Sequence, residues 1–287
     1  TNAAEDYYLD LLGIREAFSM IKNPHWVDVG IIDTPIDYRH KDLNINKNNM
    51  IIPSSIDGTY DEIDDILEYF DTYDHEHDTT YKTSPHDGCS YLSFRSHGTH
   101  VAGIIAGLKQ GINSRAVLHY ASLWAYYLQS DQEVKNEKID GNFAYADDLF
   151  SLTYSLSNMI MSDSRVINMS IGSTSYRPGS PGFDAENKNK TDAQIQAAEE
   201  EYNQEYQEHK DYLDAYFRVI EKTGKDFIIV KSAGNCNQAG QCITNADSDY
   251  INRVLSENEF ANKHSLIVGA TDTTTSVFGN ILHSKAS

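Results

Sequence analysis

Apolar positions along the chain alternate between two periodicities. Residues 27–32 (Val-Asp-Val-Gly-Ile-Ile) form a short β-branched run that reads as a strand buried on both faces. Ala116–Leu123, Arg165–Ile171, Phe227–Val230 and Leu266–Val268 read the same way. Between them lie helical patterns. Tyr8–Ile21 is amphipathic, and Ser96–Leu108 places Val101, Ile104, Ile105 and Leu108 on one face. Ala146–Ile160 spaces Leu149, Phe150, Thr153, Leu156 and Ile160 at helical intervals. Strand, helix, strand recurs without a sequence repeat or a clear linker. That order predicts an α/β fold with a mostly parallel central sheet.

Two segments break this pattern. Residues 61–78 carry nine acids and no base, and residues 184–214 carry ten acids against three lysines. Within and just past the second, Ile195, Ala198, Tyr202, Tyr206, His209, Leu213, Tyr216 and Ile220 step by three and four, which predicts one long amphipathic helix ending near Gly224. Packing on its own domain is the expected use of that face, and a partner helix the alternative. The two segments hold −16 of the formal net charge of −20 over 287 residues, so the acidity belongs to these additions and not to the rest of the chain. Such acidity argues against a nucleic-acid partner, since phosphate binding needs basic patches. As an electrostatic effect it favours basic substrates or partners, with two solvated surface elaborations as the alternative.

Composition narrows the class further. With 40% hydrophobic residues the chain can bury a full core. No apolar run approaches the ~18 residues of a membrane span. The first residues lack a signal-peptide pattern, so any such segment was removed or never existed. Three cysteines are too few for a disulfide scaffold; Cys236 and Cys242 pair or stay as thiols according to compartment, and Cys89 reads as a spare cysteine. His75 and His77 in an acidic stretch, or His97 with His100, lack the further ligands that a metal site needs, and no metal or other cofactor is expected.

Three segments carry candidate chemistry. Asp33 follows the first buried strand, at the carboxyl end where α/β sheets place their sites; there it could orient a histidine, bind a metal or cap the next segment. Ser96-His97-Gly98-Thr99-His100-Val101-Ala102-Gly103 places a histidine at a helix start, with small residues that let the helix approach a strand; an incidental histidine on a packed helix is the alternative. Ser232-Ala233-Gly234-Asn235 follows a strand and could aim an amide N–H₂ at an oxyanion, or be an ordinary turn.

Together with Val166-Ile-Asn-Met-Ser-Ile-Gly172, and with His40 and Asp42 behind Asp33-Thr34, these segments resemble the ordered signature of the subtilisin-like serine proteases, the subtilases, over about residues 14 to 280. The resemblance implies that Asp33 orients His97, that His97 is general base and then general acid, and that Asn235 is the oxyanion donor. It further implies that Ser170, Ile171 and Gly172, with Ser232, Ala233 and Gly234, wall the pocket for the substrate side chain, pairing with an extended peptide. The resemblance implies a three-layer α/β/α fold, and family habit suggests secretion.

The resemblance also has gaps. The family's Gly-Thr-Ser-x-Ala nucleophile string occurs nowhere in the 287 residues, and only 52 residues follow Asn235. The expectation is a single incomplete catalytic domain, 1–287, with acidic insertions at about 44–92 and 173–222, stopping short of the nucleophile helix and inactive by itself. Its uncovered sheet face would then require the missing segment or a partner. A non-catalytic pseudoprotease that binds a protein or peptide is the alternative. Pro35 replaces the family's usual glycine and puts the geometry near Asp33 in question; the short Lys109-Gln110-Gly111-Ile112 leaves no room for a calcium loop, so no calcium is expected and the ion-binding role matched by Asp42 is in doubt.

Overall fold

Val27–Asp33 becomes strand β1 because its β-branched residues are buried on both faces: Ile31 and Ile32 are inaccessible to solvent, and so is the terminal Asp33. The structure, a computed structural model, describes residues 9–10, 12–22, 25–33, 36, 40, 42–45, 50–51, 91–108, 111–122, 149–172, 177–234, 246, 249–269, 271–275 and 281–283. The acidic segment 61–78, His75, His77 and all three cysteines lie outside these residues. Contacts divide the chain into two compact units, 1–165 and 166–287.

In the first unit, helix α1 (Ile14–Met20) precedes β1, and strand β2 (Met50–Ile51), helix α2 (Tyr91–Ala106), strand β3 (Ala116–Ser122) and helix α3 (Leu149–Met161) follow it. The strands run parallel in the order β2-β3-β1, with Val27 opposite Ala116 and Asp33 opposite Ser122. Helices α2 and α3 both pack on β1 and β3. Helix α1 is short and buries no residue, so Ile14–Met20 contributes only a surface turn or two.

Helix α2 corrects the sequence reading twice. It starts before Ser96, so His97 sits in its second turn, not at its start. Its buried face is Gly98, Ala102 and Ala106, whereas Ile104 and Leu108 are 43% and 54% exposed. Burial follows size here: a stripe of small residues every four positions lets the helix backbone come close to the strands, and the larger aliphatics turn away. In α3, Leu149, Thr153, Leu156 and Ile160 are buried as the spacing required, Leu152 and Met159 join them, and Phe150 instead faces outward and stacks on Tyr154 with ring centres 6.2 Å apart.

Ala102→Leu is therefore expected to overpack the α2 contact and lower the unfolding free energy by about 1–3 kcal/mol. Urea denaturation followed by circular dichroism measures it. An unchanged midpoint would mean that the helix does not bear on the sheet at this position.

The second unit contains strand β4 (Val166–Met169), helices α4 (Pro181–Asn187) and α5 (Asp192–Glu221), strand β5 (Ile228–Ser232), helices α6 (Tyr250–Glu257) and α7 (Glu259–Lys263) and strand β6 (Ser265–Val268). These three strands run parallel with β5 central, and a separate antiparallel pair, β7 (Thr271–Thr275) and β8 (Ile281–His283), follows. Helix α5 opens on a capping box: Thr191 Oγ1 accepts from Gln194 N while the Gln194 side chain accepts from Thr191 N. Past its end, Gly224 adopts φ 65°, the left-handed conformation that glycine takes without strain.

The buried face of α5 comprises Tyr202, Tyr206, Leu213, Phe217 and Ile220. Phe217, not Tyr216, is the fully buried aromatic of the last turns. The second acidic segment is thus an integral wall of this unit. Its apolar face packs on α6 and α7, and the Arg253 guanidinium lies 3.5 Å from the centre of the Tyr206 ring.

Candidate active site

In the first unit the end of β1 and the second turn of α2 bring two of the sequence-predicted residues together. His97 Nδ1 donates to Asp33 Oδ1 at 2.6 Å. Asp33 is inaccessible to solvent while the His97 side chain is half-exposed. A buried carboxylate must be compensated, and the imidazole N–H supplies a short charge-assisted bond. That bond fixes the tautomer: with the proton on Nδ1, Nε2 is the basic nitrogen. The Asp33 hydrogen bond raises the His97 pKa above 6.5; burial opposes it in part, and the carboxylate's negative charge adds to the rise.

Because the folded-state pKa lies above the unfolded value, this pair stabilises the fold fully below pH ~6.5, and the contribution fades as pH rises through the folded pKa. Asp33→Asn removes the negative charge and leaves only a weaker, neutral acceptor for Nδ1–H. In NMR titrations of the His97 ring, the variant's midpoint should fall below that of the wild type; coincident curves would contradict the ion pair.

A second Asp–His bond shows that such a pair is not by itself a site. His119 Nε2 and Asp28 Oδ1 lie 2.7 Å apart across β3 and β1. Here the Asp28 carboxylate is 41% exposed and sits at the amino end of β1. Burial, position at the carboxyl end of the sheet and use of Nδ1 distinguish Asp33 with His97.

Elsewhere in the first unit, the backbone carbonyl of Asp42 accepts from Leu108 N at 2.9 Å, tying the segment after His40 to the end of α2. His100 lies on α2 as an exposed residue. Among the described residues no three His, Cys, Asp or Glu side chains gather as a metal site, and no helix is long and apolar enough to cross a membrane.

The second unit brings the two predicted wall segments together. Ser232 Oγ donates to Ile171 O at 2.7 Å, and Asn168 Nδ2 donates to Ser170 Oγ at 2.9 Å. Ala233 N donates to Val268 O at 2.9 Å, holding the segment after β5 against β6. Ser232 lies inside β5, two residues beyond the expected strand end, and Gly234 takes φ 112°. Asn235, the expected oxyanion donor, Thr34, Pro35 and Ser173–Ser175 fall outside the described residues.

Behind these walls lies a group that the sequence reading missed. Lys231 on β5 is inaccessible to solvent; its ammonium donates to Ile171 O, to Ser232 O at 3.2 Å and to Asp249 Oδ2 at 3.1 Å. Asp249, itself buried, uses Oδ1 to cap α6, accepting from Ile251 N at 2.8 Å and Asn252 N at 3.3 Å. Asn252 Nδ2 then donates to Ser232 O at 3.2 Å. Burial pushes the Lys231 pKa below 10.5, and the Asp249 carboxylate restores part of the loss. The available sequence signal was a lysine continuing an apolar strand, Phe227-Ile-Ile-Val-Lys231, where both faces are expected to be covered.

A buried carboxylate orienting an imidazole at the carboxyl end of a parallel sheet defines an acid–base pair suited to activating a nucleophile. The family model described as Subtilase family matches residues 26–282, and the chain belongs to that family. Subtilisin amylosacchariticus from Bacillus subtilis subsp. amylosacchariticus is 30% identical over 149 residues, 52% of this chain and 28% of that protein. Subtilisin E from Bacillus subtilis (strain 168) is 30% identical over 146 residues, 51% of this chain and 27% of that protein. The match therefore spans little more than a quarter of the curated relatives' length. A solved structure described as the Prenylagaramide maturation protease PagA is similar over 94% of this chain and 73% of its own, at 13% identity and a TM-score of 0.37.

Proposed function

We propose that this chain supplies the Asp–His pair, the oxyanion donor and the substrate walls of a subtilisin-like serine endopeptidase. The 2.6 Å bond from His97 Nδ1 to a fully buried Asp33 supports it most strongly. In this reading Asp33 holds the imidazole in the tautomer that leaves Nε2 free to take a serine proton, then stabilises the imidazolium. His97 returns that proton to the leaving amine, and the Asn235 side-chain amide stabilises the tetrahedral oxyanion. Ser170–Gly172 and Ser232–Gly234 offer main-chain groups to an extended peptide. The likeness to the Bacillus subtilisins supports an extracytoplasmic site of action.

The nucleophile is proposed to come from a Gly-Thr-Ser-x-Ala segment that these 287 residues do not contain. The chain by itself is then inactive, and a fluorophosphonate probe tests this directly. No covalent label is expected on the 287-residue polypeptide, and stoichiometric labelling is expected on a polypeptide extended through such a segment. Stoichiometric labelling of the 287-residue chain would overturn the assignment of roles.

A further inference from the structure

We propose that Lys231 and Asp249 form an internally neutralised floor to the pocket between the two wall segments, so that the pocket selects an uncharged substrate side chain. The inference rests on reading Ser170–Gly172 and Ser232–Gly234 as substrate walls. The pair itself is observed: an ammonium and a carboxylate in contact, both at least nine-tenths buried, with Lys231 at the carboxyl end of β5 and Asp249 at the start of α6.

Three features aim this pair at the pocket and not merely at the core. The Lys231 ammonium donates to carbonyls of both walls, Ile171 O and Ser232 O, so it bridges the two segments, which Ser232 Oγ also joins at Ile171 O. Asp249 divides its oxygens: Oδ1 caps α6, and Oδ2 turns toward Lys231 and the first wall. Gly172 is exposed, and a Cβ placed on it would lie 3.8 Å from Asp249 Oδ2, so the carboxylate edge is approached past a residue with no side chain.

The consequence for selectivity follows from competition. A lysine or arginine side chain entering between the walls would have to take Asp249 from Lys231. An acidic one would have to take Lys231 from Asp249. Either leaves a buried charge without its partner, whereas an uncharged side chain leaves the pair intact. Removing one member should therefore invert the selectivity in a direction set by the member that stays. A merely structural role would weaken all ligands alike.

The test is fluorescence anisotropy with the full 287-residue chain and labelled tetrapeptide amides ending in Ala, Lys or Glu, at pH 6. The wild type is expected to bind the Ala peptide most tightly. Lys231→Met is expected to bind the Lys peptide, and Asp249→Asn the Glu peptide, about tenfold to a hundredfold more tightly than the wild type does. Asp249→Asn keeps a helix-capping oxygen, so it tests the claim if Lys231→Met does not fold. Binding with unchanged preferences in a folded variant overturns the inference alone. If the wild type binds none of the peptides, the substrate-wall reading fails and the inference fails with it.

Discussion

Lys231→Met is expected to lower the unfolding free energy by about 3–5 kcal/mol, because it leaves the Asp249 carboxylate buried without its counter-ion. The cost should fall toward the lower end of that range. Asp249 keeps two backbone donors at the start of α6, and these still compensate part of its charge. The methionine replaces most of the lysine's buried stem, so lost packing is a small part of the effect. Adding Asp249→Asn should restore most of the loss: no charge then remains to desolvate, and the amide oxygen still caps the helix.

The pair also has a pH signature. Burial holds the folded-state pKa of Lys231 below 10.5, so between that lowered value and 10.5 the unfolded chain binds the extra proton. The wild type should gain stability from this residue as pH rises through that window, and Lys231→Met should lack the gain. Urea titrations of wild type, single and double variants at several pH values measure both effects. A single-variant loss under about 1 kcal/mol would show that water reaches Asp249.

Phe217→Ala is the other large expected loss, again about 3–5 kcal/mol. Phe217 is 2% exposed and belongs to an aromatic group formed by α5, α7 and the residues flanking β5 and β6. Its ring centre lies 6.5 Å from that of Phe260, which stacks on His264 at 4.1 Å and meets Phe227 edge-on at 6.2 Å. Truncation opens a cavity where rings from three parts of the unit meet, and rigid ring packing collapses poorly into such a space. Helix α5 also reaches the α6–α7 corner through Asn258 Nδ2, which donates to Asp214 Oδ1 at 2.8 Å. Loosening this contact should therefore disturb Asp249, and Phe217→Ala should weaken peptide selectivity as well as stability. Tyr216→Ala, at a half-buried neighbour, is the control and should cost much less. Equal losses from the two would refute the packing account.

Much of this was legible in the chain. The β-branched runs predicted the parallel strands because strands covered on both faces must be continuously apolar. The residue order around Asp33 and His97 placed these two side chains together before any distance was known, and the three- and four-residue steps from Ile195 to Ile220 marked α5. These are local patterns, set by backbone geometry and by which side chains can leave water.

Three things required the tertiary structure. The burial of Gly98, Ala102 and Ala106 in place of Ile104 and Leu108 depends on how close α2 lies to its strands, which hydrophobicity does not encode. The acidic segment 184–214 read as an addition by charge, yet its helix supplies core side chains to the second unit, because one helix can present a solvated acidic face and a buried aromatic one.

The third is the floor of the proposed pocket. Lys231 and Asp249 are eighteen residues apart, and nothing local pairs them. What joins them is the position of the capped start of α6 beside β5, where the loss of water makes each charge depend on the other. By itself the sequence determined the family, the strands and the Asp–His pair. The tertiary structure decided which charges are buried together, since that depends on distances between segments that no periodicity along the chain records.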